Sequence, residues 1–460
     1  MSLKYSTPAE LSELYSKSDK AAGRLTLLFD DGKFTEVGRY VKNGDALSGV
    51  VTAFGYVDGV PVYAFSQDTS ARSGALTRQG AEKISRLYTL AAETGAPVVG
   101  VYDSFGADLE DALGALSAYG ELLSKSANLS GVVPTISVVC GVCSGAAAML
   151  AVNADIVIAV KDSELYISPN SGIKDLAANN AKTGVTALTA DDDAQAFAAV
   201  KSILGRVPQN NLAPAPMYEF EEPASAFGSD AVSQAEAVFD AGSVKELYAE
   251  YGTNAYTALA SVGGNCVGVL ATNKAGGKLT GDDASKLARF IRLLDSFNIP
   301  AVTLVDTEGF VTDSDAEAAG AVKAMAKLSH AYSEATNAKI SVVTGKAYGS
   351  AFISLSGKGA NADMTIALDS AVISALDPLT AVEFLSHDRL AGASDLAAAR
   401  KELADEFVKS ECTAYAAAQS GAVDAVVSSG ELRAAILEAV EMMSGKRAQR
   451  LPKKHSNIQL

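Results

Sequence analysis

Two short glycine-containing segments hold the residues best able to do chemistry in this chain. Gly141-Val142-Cys143-Ser144-Gly145-Ala146-Ala147 follows the apolar run 136–139, and Gly345-Lys346-Ala347-Tyr348-Gly349-Ser350-Ala351 follows the run 340–343. At a strand-to-helix turn the first helical N–H groups have no intrahelical acceptor. The helix dipole favours negative charge at that point, and a glycine lets a ligand approach the backbone closely. Such a pair of N–H groups can hold an enolate or another developing oxyanion with no catalytic side chain. Tight helix–strand packing would ask for the same glycines, so one turn alone does not decide between the two. Side-chain chemistry has fewer candidates. Cys140 and Cys143 form a C-x-x-C, which invites redox or zinc readings. No second such pair completes a metal site, so the pair reads as small residues in a tight turn and no metal is expected. With only His330, His387 and His455 present, histidine-based nucleophilic catalysis has little to draw on.

The two segments are copies. Ile136 and Ile340 lie 204 positions apart (340 − 136), as do Gly141 and Gly345, and Gly145 and Gly349. Upstream, Ala96-Pro97-Val98-Val99-Gly100-Val101-Tyr102-Asp103 echoes Ile299-Pro300-Ala301-Val302-Thr303-Leu304-Val305-Asp306, at an offset of 203 (306 − 103). Downstream, Asn153-Ala154-Asp155 echoes Asn361-Ala362-Asp363. Three matches in one order at nearly constant offset mean a duplicated domain, with a period far too long for a solenoid. The elements around the turns follow from pattern. Thr7, Pro8 and Glu10 form a capping box that starts a first helix. Residues 24–29 read as a helix end or a short strand. Residues 50–56 and 60–65 form a hairpin about Asp58-Gly59. Helical spacing covers 76–94 and 109–125. Continuously apolar strands at 97–102 and 133–139, with a helix between them, imply parallel pairing covered on both faces. A helix at 144–152 and strands at 156–160 and 165–167 follow. The segment 207–226, with Pro208, Pro214, Pro216 and Pro223, reads as a linker. The second half repeats the order with strands at 267–272, 301–305, 340–343, 364–367 and 371–374, and helices at 282–296 and 316–336. Alanine-rich helical stretches at 395–419 and 429–443 close it.

Bulk properties exclude other classes. The net charge is −16, which argues against nucleic-acid partners. No apolar run of membrane-spanning length is present, and the N-terminus lacks an apolar signal core, so a cytoplasmic protein is expected.

At the turns the chain resembles the carboxyltransferase (β) subunits of biotin-dependent acyl-CoA carboxylases, propionyl-CoA carboxylase among them. It also resembles the related α subunits of sodium-pumping methylmalonyl-CoA and glutaconyl-CoA decarboxylases. Val305-Asp306-Thr307-Glu308-Gly309-Phe310 looks like the family's D-x-P-G-F loop, with Glu308 in place of the proline. Lys346-Ala347-Tyr348-Gly349-Ser350-Ala351 resembles K-A-Y-G-G-A, and Gly141–Ala147 resembles G-P-C-A-G-G-A. The tail from Pro452 to Leu460 resembles P-K-K-H-G-N-I-P-L.

The resemblance implies an α/β fold of two tandem crotonase-like (ClpP/crotonase) domains, 1–220 on the acyl-CoA side and 221–460 on the biotin side. It implies that Gly145 and Ala146 supply N–H groups to the acyl thioester oxygen. Ser350 and Ala351 would serve the biotin ureido oxygen, with Gly349 allowing the turn. Ser104, Phe105, Gly106, Ala107, Cys143 and Ser144 would line the acyl side, and Gly309, Phe310, Lys346, Tyr348 and Gly349 the biotin side. Coenzyme A arrives as part of the substrate. Lys323-Ala324-Met325-Ala326-Lys327 sits in a helical pattern unlike a biotinyl-lysine hairpin, so biotin is expected on a separate carrier protein, and no ATP-grasp domain fits in the length. The implied partners are that carrier, a biotin carboxylase subunit or a membrane decarboxylase subunit. The implied assembly is a homo-oligomer built from dimers, up to a hexamer, with the site shared between the first domain of one chain and the second domain of another. A decarboxylase assembly would place it peripherally at the inner membrane face.

Departures mark the acyl side. The family's D-S-G-G-A-R loop is here Asp103-Ser104-Phe105-Gly106-Ala107-Asp108, in which Phe105 adds bulk and Asp108 reverses a charge. Ala146 replaces a glycine, and Ala375-Leu376-Asp377-Pro378-Leu379 replaces G-A-E-G-A. A subunit that has lost transfer and serves as a scaffold is one alternative. A hydratase or isomerase acting alone is another, although neither turn is followed by a clearly placed acid–base Glu.

Overall fold

The computed structural model describes residues 6–16, 19–169, 172–359, 362–448 and 450–458. Asn361 of the downstream echo and Gln459-Leu460 of the tail fall outside them. The chain divides into two compact units, Met1–Pro214 and Ala215–Leu460, and the division lies inside the proline-rich linker.

In the first unit the strands of the main sheet are β1 (Phe34–Glu36), β2 (Val50–Val57), β3 (Val60–Gln67), β4 (Val98–Ser104), β5 (Thr135–Ser144), β6 (Ile156–Val160), β7 (Glu164–Tyr166) and β8 (Leu188–Ala190). Their order in the sheet is β1-β2-β3-β4-β5-β6-β8, with β7 pairing beside β6 on the far end of β5. The first two pairings are antiparallel, and the later ones parallel. The second unit repeats this with β9 (Lys245–Glu246), β10 (Tyr256–Val262), β11 (Asn265–Ala271), β12 (Ala301–Thr307), β13 (Lys339–Tyr348), β14 (Met364–Leu368), β15 (Val372–Ser374) and β16 (Ala425–Val427). The order is β9-β10-β11-β12-β13-β14-β16, with β15 on the end of β13. Two copies of one mixed α/β sheet in the same order make this a duplicated crotonase-like fold. β4 is buried along its whole length, as a parallel strand covered on both faces must be.

Helix Arg78–Thr94 is capped by Thr77 and ends at Gly95 with φ 67°. Its counterpart Gly281–Ser296 carries a capping box of Thr280 and Asp283. Two expectations shift. The helix expected at 109–125 is Leu113–Leu129, because the Asp108 carboxylate accepts the Glu110 N–H and the Asp111 carboxylate the Arg78 N–H, which holds the preceding residues in a loop. The helix expected at 316–336 is two, Ser314–Ala318 and Ala321–Glu334, broken where Gly320 takes φ 80°. Residues 24–28 form the end of helix Asp19–Leu28, the first of the two readings of that segment. Among the described residues no helix is long and apolar enough to cross a membrane.

Lys83 and Lys286, offset by 203 (286 − 83), are both buried. Lys83 donates to the Val50 carbonyl, and Lys286 to those of Gly252 and Ala255, at 3.3 and 2.7 Å. Burial pushes each ammonium down to about 8. A lysine depressed in the fold but not in the unfolded chain makes the unfolded state bind more protons between those two values. Stability therefore rises with pH across that window. Each lysine should add on the order of 2–3 kcal/mol between about pH 8 and about pH 10. Urea unfolding of wild type and Lys286→Met across this range isolates the effect, since the variant's rise should be smaller than that of wild type by on the order of 2–3 kcal/mol. Equal pH slopes would show that the lysine is not depressed.

Candidate active site

Each unit builds its turn in the same way. Opposite β4, strand β5 carries two extra residues: Tyr102 faces Val139 and Ser104 faces Cys143. Opposite β12, strand β13 does the same, with Val305 facing Val343 and Thr307 facing Ala347. The extra residues arch Gly141 and Gly345 over an aspartate at the end of the neighbouring strand. A Cβ on Gly141 would stand 2.3 Å from Asp103 Oδ1, and one on Gly345 would stand 2.3 Å from Asp306 Oδ1. The strands continue past these glycines to Ser144 and Tyr348, so the chain turns only at Gly145 and Gly349, whose φ values are 59° and 54°.

Helices begin at once, Ala146–Val152 and Gly349–Leu355, and neither has a side-chain cap. Their first N–H groups are therefore left to a ligand or solvent. The two ends differ in one respect from the sequence expectation. The Gly145 N–H donates to the Tyr166 carbonyl at 3.1 Å, because β7 runs alongside the end of β5. Ala146 and Ala147 are the donors left at this turn, and they correspond in position to Ser350 and Ala351 at the other.

The loops beside the turns are held by matching clamps. Ser104 Oγ accepts the Gly106 N–H at 3.0 Å, and Thr307 Oγ1 accepts the Gly309 N–H at 3.3 Å. A Cβ on Gly106 would lie 3.0 Å from the Ser144 carbonyl oxygen, so loop and turn are in contact. Ala107 and Phe310 bridge to Leu76 and Leu279. Ser104, Gly106, Ala107, Cys143, Ser144, Gly145 and Ala146 thus come together in the first unit, and Gly309, Phe310, Lys346, Tyr348, Gly349, Ser350 and Ala351 in the second. Phe105, at 60% exposure, faces solvent. Cys143, Phe310 and Tyr348 are buried. Burial pushes the Cys140 and Cys143 thiols well up, away from thiolate chemistry. Burial, with the Glu308 charge next, pushes Tyr348 up to about 12.

Sequence reasoning missed the charges that support the turns. Asp103 is paired with Arg24 at 2.9 Å and Lys20 at 3.0 Å, and Arg24 also reaches Asp193 and the Cys140 carbonyl. Asp306 instead accepts from Asn273 at 2.7 Å and from the Lys346 N–H at 2.8 Å. The reversed charge at Asp108 is balanced. Burial alone would raise its carboxyl, but the Arg72 guanidinium and the Glu110 N–H hold it below the usual range. Among the described residues, no group of three or more His, Cys, Asp or Glu could hold a metal.

Residues 17–458 match the carboxyl transferase domain family. The methylmalonyl-CoA decarboxylase subunit alpha of Propionigenium modestum is 34% identical over 96% of this chain and 93% of its own length. The propionyl-CoA carboxylase beta chain of Saccharopolyspora erythraea is 32% identical over 96% and 90%. The hexameric transcarboxylase 12S, solved with methylmalonyl-coenzyme A and methylmalonic acid bound, superposes with a TM-score of 0.91 at 32% identity, covering 98% of this chain and 94% of that one.

Proposed function

The chain belongs to the carboxyl transferase family, and from that membership we propose that it moves a carboxyl group between the α-carbon of a short-chain acyl-CoA and biotin presented as a substrate on a separate carrier protein. The observation that supports this most is the pair of uncapped helix starts, one per unit, each behind a glycine in the left-handed region. At the first, the N–H groups of Ala146 and Ala147 would hold the thioester oxygen. At the second, those of Ser350 and Ala351 would hold the ureido oxygen of biotin. Both sites are oxyanion holes in which fixed dipoles meet charge where it develops.

The balance needs no further acid or base. When the bond between the α-carbon and the carboxyl carbon breaks, CO2 leaves and its electron pair stays on the acyl group as an enolate at the first turn. The enolate takes the ureido N–H proton, and the ureido nitrogen, its charge delocalised onto the oxygen at the second turn, attacks CO2. The reverse sequence carboxylates the acyl-CoA. This fits a chain so poor in histidine. The reading carries a homo-oligomer with it, as transcarboxylase 12S is a hexamer.

Purified protein incubated with methylmalonyl-CoA, malonyl-CoA or glutaconyl-CoA should lose the acyl carboxyl group from one of them only when biotin is added. Loss that is equal without biotin would favour an enzyme acting on acyl-CoA alone. No loss from any of the three, from protein that still binds acyl-CoA, would favour the scaffold.

A further inference from the structure

The second turn carries an ion pair that the first lacks. Lys346 Nζ lies 2.6 Å from Glu308 Oε1, with both side chains about half exposed. The counterparts in the first unit are Val142 and Phe105, which carry no charge. The pair joins the loop to the strand end that leads into the turn. Glu308 sits between Thr307, which faces Ala347 in the sheet, and Gly309, whose added Cβ would lie 3.8 Å from the Tyr348 carbonyl oxygen. Lys346 is anchored through its own N–H to Asp306 and stands three residues before Gly349.

A lone ammonium at the mouth of an oxyanion site attracts any anion that enters. Paired with a carboxylate at hydrogen-bond distance, it presents little net charge. The ureido substrate of the second turn exists in two forms, uncharged biotin and anionic carboxybiotin, and only the second responds to that difference. We propose that Glu308, by taking up the Lys346 ammonium, weakens the hold of the second turn on carboxybiotin relative to biotin. It acts as a positioning residue that sets which form the site favours. The inference rests on the carboxyl-transfer reading above, and it gives the chain a bias toward releasing carboxylated carrier.

Ligand-observed NMR on the full protein, without acyl-CoA, gives the dissociation constants of biotin methyl ester and carboxybiotin methyl ester, both lacking the valerate charge. Glu308→Gln should tighten carboxybiotin ester about fivefold and shift biotin ester by less than about twofold. Glu308→Asp should keep the wild-type ratio. The double variant Glu308→Gln with Lys346→Gln should lose the gain, and raised ionic strength should shrink it. Proportional tightening of both esters, or a gain that survives in the double variant, would overturn the role given to Glu308 while leaving carboxyl transfer standing. Wild-type protein that binds neither ester would overturn both.

Discussion

Ala146→Pro should lower kcat about a hundred- to a thousandfold with little change in folding. Removing one donor from a preorganised oxyanion hole costs about that much. Proline removes the donor without removing the helix. Ala146 is the first residue of its helix, the position where proline's fixed φ suits the backbone and its missing N–H breaks no helical bond. The residue before a proline is confined to extended backbone. Gly145 has φ 59° and ψ −123°, the mirror image of that region, which glycine adopts at no steric cost. Ala146→Gly, which keeps the N–H, is the control and should stay within a few-fold of wild type. The donor role predicts that the loss falls on kcat with KM nearly unchanged, since the bond strengthens only as the enolate forms. A kcat for Ala146→Pro within about threefold of wild type would show that the oxyanion takes its hydrogen bonds elsewhere.

What the sequence could show and what it could not divide along one line. Local and repeated signals were legible. The Thr7–Glu10 capping box forms as expected, the Asp58-Gly59 hairpin joins Val57 to Val60, and the offset of 203–204 recurs as two sheets of one topology. Gly263-Gly264 between β10 and β11 is a hairpin signal of the same kind. The supports of the turns were a different matter. Nothing local says that β5 gains two residues against β4, yet that gain brings Gly141 onto Asp103. Nothing local says that Arg24, in a helix that could be taken for a strand, reaches Asp103 far along the chain. The use of the Gly145 N–H by Tyr166 likewise depends on where β7 docks. A two-residue gain in register and a long-range ion pair are tertiary facts, and periodicity carries no trace of either.

Those tertiary supports make a prediction that separates the two halves. Gly141→Ala and Gly345→Ala place a Cβ at the same distance, 2.3 Å, from an aspartate oxygen, so a purely steric account expects equal damage. The carboxylates differ in how they can yield. Asp103 is buried and held by Arg24. Arg24 is itself buried and bound to Asp193 and to the Cys140 carbonyl. Moving Asp103 aside strands a buried guanidinium, and breaking a buried pair costs about 3–5 kcal/mol. Asp306 is held by the amide of Asn273 and by a backbone N–H. These neutral donors can follow it or turn to water, at about 1–3 kcal/mol. Gly141→Ala should therefore destabilise its unit by roughly 2 kcal/mol more than Gly345→Ala does. Urea unfolding followed by amide exchange in each unit reads the two separately. Equal losses would mean that the arch over the aspartate sets the cost, and a larger loss for Gly345→Ala would mean that the Arg24 cluster does not hold Asp103 in place. The ordering matters for the chemistry because the first turn takes its position from that cluster. A shift of Asp103 that displaces Cys140 and Gly141 also displaces the start of the helix at Ala146, so Gly141→Ala should lose activity in step with stability.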